Sequence, residues 1–132
     1  MTQSNSGAIE FCDDQLKAGR DSGEVRGQLR SRYGLGDLGS KSVVIASSEF
    51  NVHVSKNLWA KMQKSAFLTD EQRANRFRRK FGLSHDEAAW LVGQFRAGKT
   101  DVLRDLCGFE RLSKKMLTEA AQAELRREGL IE

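Results

Sequence analysis

The densest chemistry in this 132-residue chain is cationic. Arg73, Arg76, Arg78, Arg79 and Lys80 place five positive groups within eight residues, with no acid among them. A second set, Arg96, Lys99 and Arg104, follows at spacings of three and five. Arginine suits bidentate contact with guanine, and the remaining positive groups suit phosphate. The pattern fits a nucleic-acid surface; its bland counterpart is a solvated amphipathic helix with surplus arginine.

Other reactive residue types are sparse. Gly93-Gln-Phe-Arg-Ala-Gly98-Lys99-Thr100 has the spacing of a phosphate-binding P-loop, in which Trp90-Leu-Val92 would be a strand and Lys99 would reach the terminal phosphates. The context is poor: helix signals precede Gly93, and no apolar strand ending in Asp follows. His53 and His85 have no cysteine or carboxylate at metal-ligand spacing. His53 alternates with Val52 and Val54 and reads as pointing out from a strand. Cys107 reads as core, and Cys12 and Cys107 as reduced thiols. No nucleophile–base grouping can be assembled, so the reading is a non-enzyme with no cofactor or metal. Trp59 and Trp90 read as core anchors.

The elements that must hold these residues are mostly helical. Residues 1–7 read as a tail. Ala8–Ala18 and Ser22–Tyr33 have helical spacing and are followed by Gly19 and Gly34. Gly34–Gly39 reads as a flexible joint. Val43-Val44-Ile45 and the alternating Phe50, Val52 and Val54 predict a short β-hairpin turned at Ser47-Ser48. Ser55 then caps a helix holding Leu58, Trp59 and Met62. Thr69-Asp-Glu-Gln72 and Ser84-His-Asp-Glu87 are capping boxes, each a hydroxyl followed three residues later by a side chain that can reach back. They predict helices from about 69 to 81, broken at Gly82-Leu83, and from 85 to about 93. A third helix, 96–107, is predicted to end at Gly108, and a last one, capped by Ser113, to end at Gly129. The expected fold is mainly α with one short β-hairpin and a tri-helical helix-turn-helix core in the C-terminal half.

In that unit the two motif helices are 85–92 and 96–106, with Gly93 in the turn and Leu91, Val92, Val102 and Leu106 closing the core. The run Phe81-Gly-Leu-Ser-His-Asp-Glu-Ala-Ala-Trp-Leu-Val-Gly93 resembles the first half of the helix-turn-helix in ParB/KorB-type partition proteins. The family's arginine after the turn falls on Arg96, and its Leu-Arg-x-Leu on Leu103-Arg104-Asp105-Leu106; Leu68-Thr69-x-Glu71 also matches. The resemblance covers about residues 68–112. Phe95 and Gly98 depart from the start of the family's recognition helix, and residues 1–66 lack its upstream Gly-Glu-Arg-Arg nucleotide-binding motif. It therefore implies a DNA-binding module, not a nucleotide-gated clamp. The residues that would face DNA are Arg78, Arg79, Ser84, His85, Gln94, Arg96, Lys99, Thr100 and Arg104.

Composition bounds the rest. The net charge is +4, with 9 basic and 7 acidic residues in 1–66 and 13 and 11 in 67–132, so any footprint comes from local clustering. No apolar run approaches the roughly 20 residues of a membrane helix, and the first residues carry no secretory signal. The expectation is a cytoplasmic protein of two parts. Residues 1–66 hold weak helices and the hairpin, suited to dimerisation, and 67–132 hold the helix-turn-helix and a C-terminal helix. As a homodimer binding double-stranded DNA sequence-specifically, it would repress transcription or mark a partition or replication site. The alternative is a protein-binding adaptor or inhibitor that uses the scaffold without DNA, and the minor alternative is the P-loop nucleotide binder.

Overall fold

The computed structural model describes residues 6–132, so the tail expected over 1–7 lies outside the described residues as far as residue 5. Ser6 and Gly7 already belong to a helix. Eight α-helices and one short 3₁₀ turn make up the described chain: α1 Ser6–Lys17, α2 Ser22–Tyr33, α3 Asp37–Ala46, α4 Ser48–Gln63, α5 Asp70–Phe81, α6 His85–Arg96, the 3₁₀ turn Leu103–Asp105, α7 Phe109–Met116 and α8 Glu119–Arg127.

No strand occurs among the described residues, which corrects the expected hairpin. Val43, Val44 and Ile45 lie in α3, and Phe50, Val52 and Val54 in α4. Local β propensity yields here to a helical burial period that runs through polar residues. Gly39, Ser40, Val43 and Val44 are buried on one side of α3, and Val52, Ser55, Trp59 and Met62 on one side of α4. The buried hydroxyls are satisfied within their own helices. Ser40 donates to the Asp37 carbonyl (3.0 Å) and Ser55 to the Val52 carbonyl (2.8 Å). Ser55 is thus interior to α4, not a cap. The break between α3 and α4 is the single extended residue Ser47. Asn51, fully buried, stabilises that break by donating to the carbonyl of Ile45 in the last turn of α3 (2.7 Å), a group that a helix end leaves without a partner, and to the Ser47 carbonyl (2.9 Å), which also accepts the Asn51 N–H (3.1 Å).

The apolar side chains gather in two clusters. One joins α4, α5 and α6 with the 3₁₀ turn and α7, around Trp59, Phe77, Phe81, Phe95, Leu103 and Leu112. Its aromatic rings sit 5.3–6.2 Å apart, within the range of favourable ring contacts. The other joins α1, α2 and α3 to α8, through Ala8, Cys12, Leu29, Val43, Leu125 and Ile131. Glu128 anchors this return by accepting from the Gly36 N–H ahead of α3 (3.2 Å). Ser113, expected as a cap, is buried inside α7, and Thr118 caps α8 instead. No helix among the described residues is long and apolar enough to cross a membrane.

Candidate nucleic-acid interface

Both capping boxes form, and they frame the basic helix. The Thr69 N–H donates to Gln72 Oε1 (2.9 Å), and the Gln72 N–H to Thr69 Oγ1 (3.2 Å). The Ser84 N–H donates to Glu87 Oε1 (2.8 Å), and the Glu87 N–H to Ser84 Oγ (3.2 Å). Between them α5 ends on Gly82, whose φ of +64° is left-handed. A β-carbon there would also come within 3.0 Å of the Lys115 side chain.

The five cations of α5 do not share one face. Arg73 is 7% exposed, pairs with Asp70 (2.9 Å) and lies 5.9 Å from the Trp59 ring centroid. Arg78 is half-buried on a different flank, with its Nε buried and without an acceptor. Arg76, Arg79 and Lys80, related as i, i+3 and i+4, line a shallow hollow of about 350 Å³ with Leu58 of α4. Lys115 approaches from α7 at the C-terminal end of the same helix. Arg76, Arg79, Lys80 and Lys115 form no ion pair among the described residues. Nine other basic side chains, Arg96, Arg104 and Arg111 among them, are held by carboxylates.

The proposed recognition helix is different from its expectation. α6 continues through Gly93 to Arg96, and residues 96–106 contain only the three-residue 3₁₀ turn. The cause is Phe95, buried at 3% and packed on Trp59 and Phe77, which holds the helix past the glycine. The left-handed glycine is Gly98 (φ +83°), and the Lys99 N–H returns to the Gln94 carbonyl (2.9 Å). The P-loop spacing therefore falls on the last turn and end of a helix, and Trp90–Val92 are helical rather than a strand. Trp90 is 40% exposed, not a core anchor, whereas Trp59 is buried.

The expected DNA-facing residues scatter accordingly. Arg79 is exposed in the basic hollow, and Lys99 is exposed beyond α6. Ser84 spends its hydroxyl on its cap, and His85 stands on the rim of a groove between α5 and α6. Gln94 and Thr100 are half-buried. Arg96 hydrogen-bonds Asp70 through Nε (3.2 Å) and lies 5.7 Å from the Trp59 centroid. That contact, with Arg73 second, holds the Asp70 carboxyl below its ordinary range. Arg104 pairs with Glu49 (3.0 Å). Arg76 and Lys80, absent from the expected set, were legible as the i and i+4 neighbours of Arg79; Leu58 and Lys115 come from other helices and left no local signal.

One braced corner fixes the α5–α6 link. Arg111 of α7 donates to both Glu87 oxygens (2.6 and 2.7 Å), to the Leu106 carbonyl (2.7 Å) and to the Gly82 carbonyl (3.4 Å). The Arg111 hydrogen bond, followed by the Ser84 amide, lowers the Glu87 carboxyl to about 2. No group of three His, Cys, Asp or Glu side chains among the described residues could hold a metal ion.

The fold and this geometry define an all-helical class for the described chain, with a cationic patch on one helix. No protein-family model, no curated protein and no solved structure matches the chain.

Proposed function

We propose that the protein binds double-stranded DNA through the phosphate backbone, with α5 lying against the duplex. The observation that carries this reading is the hollow formed by Arg76, Arg79, Lys80 and Leu58, which has three cations and no carboxylate. Cations without internal partners are the groups free to displace counterions from a phosphate backbone. In this reading Arg79 contacts phosphate, Arg76 and Lys80 join it, and Lys115 extends the strip. Arg96 and Arg104 serve the scaffold, each held by its carboxylate. A homodimer would set two such strips on one duplex and raise the affinity of a small module. Contacts of this kind position a protein on a duplex without reading its sequence.

A salt series with random-sequence duplex tests this. Three phosphate contacts give a slope of log K against log salt of about −3, and Arg79→Ala should reduce its size by about one. Lys17→Ala, on α1, serves as the control and should leave the slope unchanged. Absence of binding at low salt refutes the proposal. It favours instead a protein-binding adaptor, for which the specific observation is the exposure of Trp90 (40%) and Phe67 (94%).

A further inference from the structure

A second cationic concavity lies away from α5, at the junction of α2, α3 and α4. It has a volume of about 190 Å³ and is lined by Ser22, Gly23, Arg26, Lys41, Val44, Ile45 and Phe50. Lys41, Val44 and Ile45 fall at i, i+3 and i+4 on α3, so the helix presents one charge and two apolar groups together. Arg26 comes from α2 across the pocket. Among the described residues neither Arg26 nor Lys41 forms an ion pair. No carboxylate lines the pocket. The nearest in sequence, Asp21, is committed to the Gly23 (3.0 Å) and Glu24 (3.4 Å) amides.

We infer that this pocket binds a small phosphate monoester. Two cations match the dianion, and the guanidinium fork of Arg26 suits two phosphoryl oxygens at once. Ser22 adds a hydroxyl that can donate. Val44, Ile45 and Phe50 supply a wall for a compact apolar substituent, which a bare phosphate leaves unused. Phe50 and Ser22 also border a neighbouring hollow of about 320 Å³, whose lining includes Asp21 and Glu49. Those carboxylates repel an anion, so the phosphoryl group belongs on the Arg26–Lys41 side.

The inference is independent of DNA binding, because none of these residues belongs to the α5 patch. Calorimetry and amide chemical shifts of the full chain, titrated with phenyl phosphate, inorganic phosphate and benzoate, test it. Phenyl phosphate should bind most tightly and shift the amides of Gly23, Val44 and Phe50. Lys41→Ala, at an exposed position, should weaken it about tenfold, as loss of one charge-assisted contact does. Arg26→Gln should weaken it further, with circular dichroism confirming the fold. Lys99→Ala should bind like the parent. Equal binding of benzoate, binding undiminished in Lys41→Ala, or no shifts at 10 mM ligand, about the weakest affinity worth assigning, would each overturn the assignment.

Discussion

Arg111→Ala should remove about 2–3 kcal/mol of stability, because this one guanidinium ties α7 to three other points of the fold. It donates to two backbone carbonyls, Leu106 at 2.7 Å and Gly82 at 3.4 Å, and each such bond contributes about 0.5–1.5 kcal/mol net. The bidentate pair with Glu87 adds to this. At face value, a carboxyl lowered from 4.5 to about 2 corresponds to about 3 kcal/mol. The side chains are 35% and 26% exposed, so solvent screening reduces the pair to about 1 kcal/mol. The alanine variant frees Glu87 to rehydrate, which keeps the total below the cost of stranding a fully buried charge. For a chain of this size the loss lowers Tm by about 6–12 °C. Urea titration of Arg111→Ala, Glu87→Gln and the double variant separates the contributions. Glu87→Gln keeps an acceptor for the Ser84 amide, so the capping box survives while the charge is lost. The pair should show a coupling of about 1 kcal/mol. The sign of its pH dependence follows from the lowered folded value. The Glu87 contribution is complete above the unfolded carboxyl range and is lost as pH falls from about 4.5 towards about 2. Arg111→Ala within about 0.5 kcal/mol of the parent, with no coupling to Glu87, would refute the bracing of the α5–α6 corner.

Four further outcomes follow from the same structure. Gly93→Ala should stabilise the protein by about 0.5–1 kcal/mol, because the glycine is exposed inside α6 with open space around its β position; destabilisation in thermal melts would restore a turn at residue 93. Gly82→Ala should cost about 1–2 kcal/mol through its left-handed backbone, with crowding of Lys115 in addition, and unchanged denaturant midpoints would contradict the helix break. Trp90→Phe should abolish most acrylamide quenching of tryptophan fluorescence, since Trp59 is 9% exposed and Trp90 40%; equal quenching in the variant would place Trp59 in solvent. Cys12 and Cys107 should react with a thiol reagent only after unfolding, because burial raises them to about 12 and about 11; rapid labelling of the folded protein would show that one is open.

Local signals alone determined several elements. Thr69 with Gln72, and Ser84 with Glu87, specify two helix starts through bonds that close within four residues, so both boxes appear as read. The helices opened by α1 and α2, and the left-handed glycines 19, 34 and 82, likewise depend on near neighbours. Tertiary packing decided the rest. The β-branched run at Val43 became helix because Ser40 and Ser55 are buried with their hydroxyls bonded inside their own helices, and Asn51 with its amide nitrogen donating at the break, a burial period that a reading of apolar residues alone misses. Gly93 stayed in α6 because Phe95 packs on Trp59, a residue 36 positions earlier. The availability of each cation was decided the same way. Arg79 and Arg96 are chemically identical in the sequence. Only the fold sets Arg96 against Asp70 and leaves Arg79 beside Leu58 without a carboxylate, because charge pairing depends on side chains meeting across helices distant in the chain.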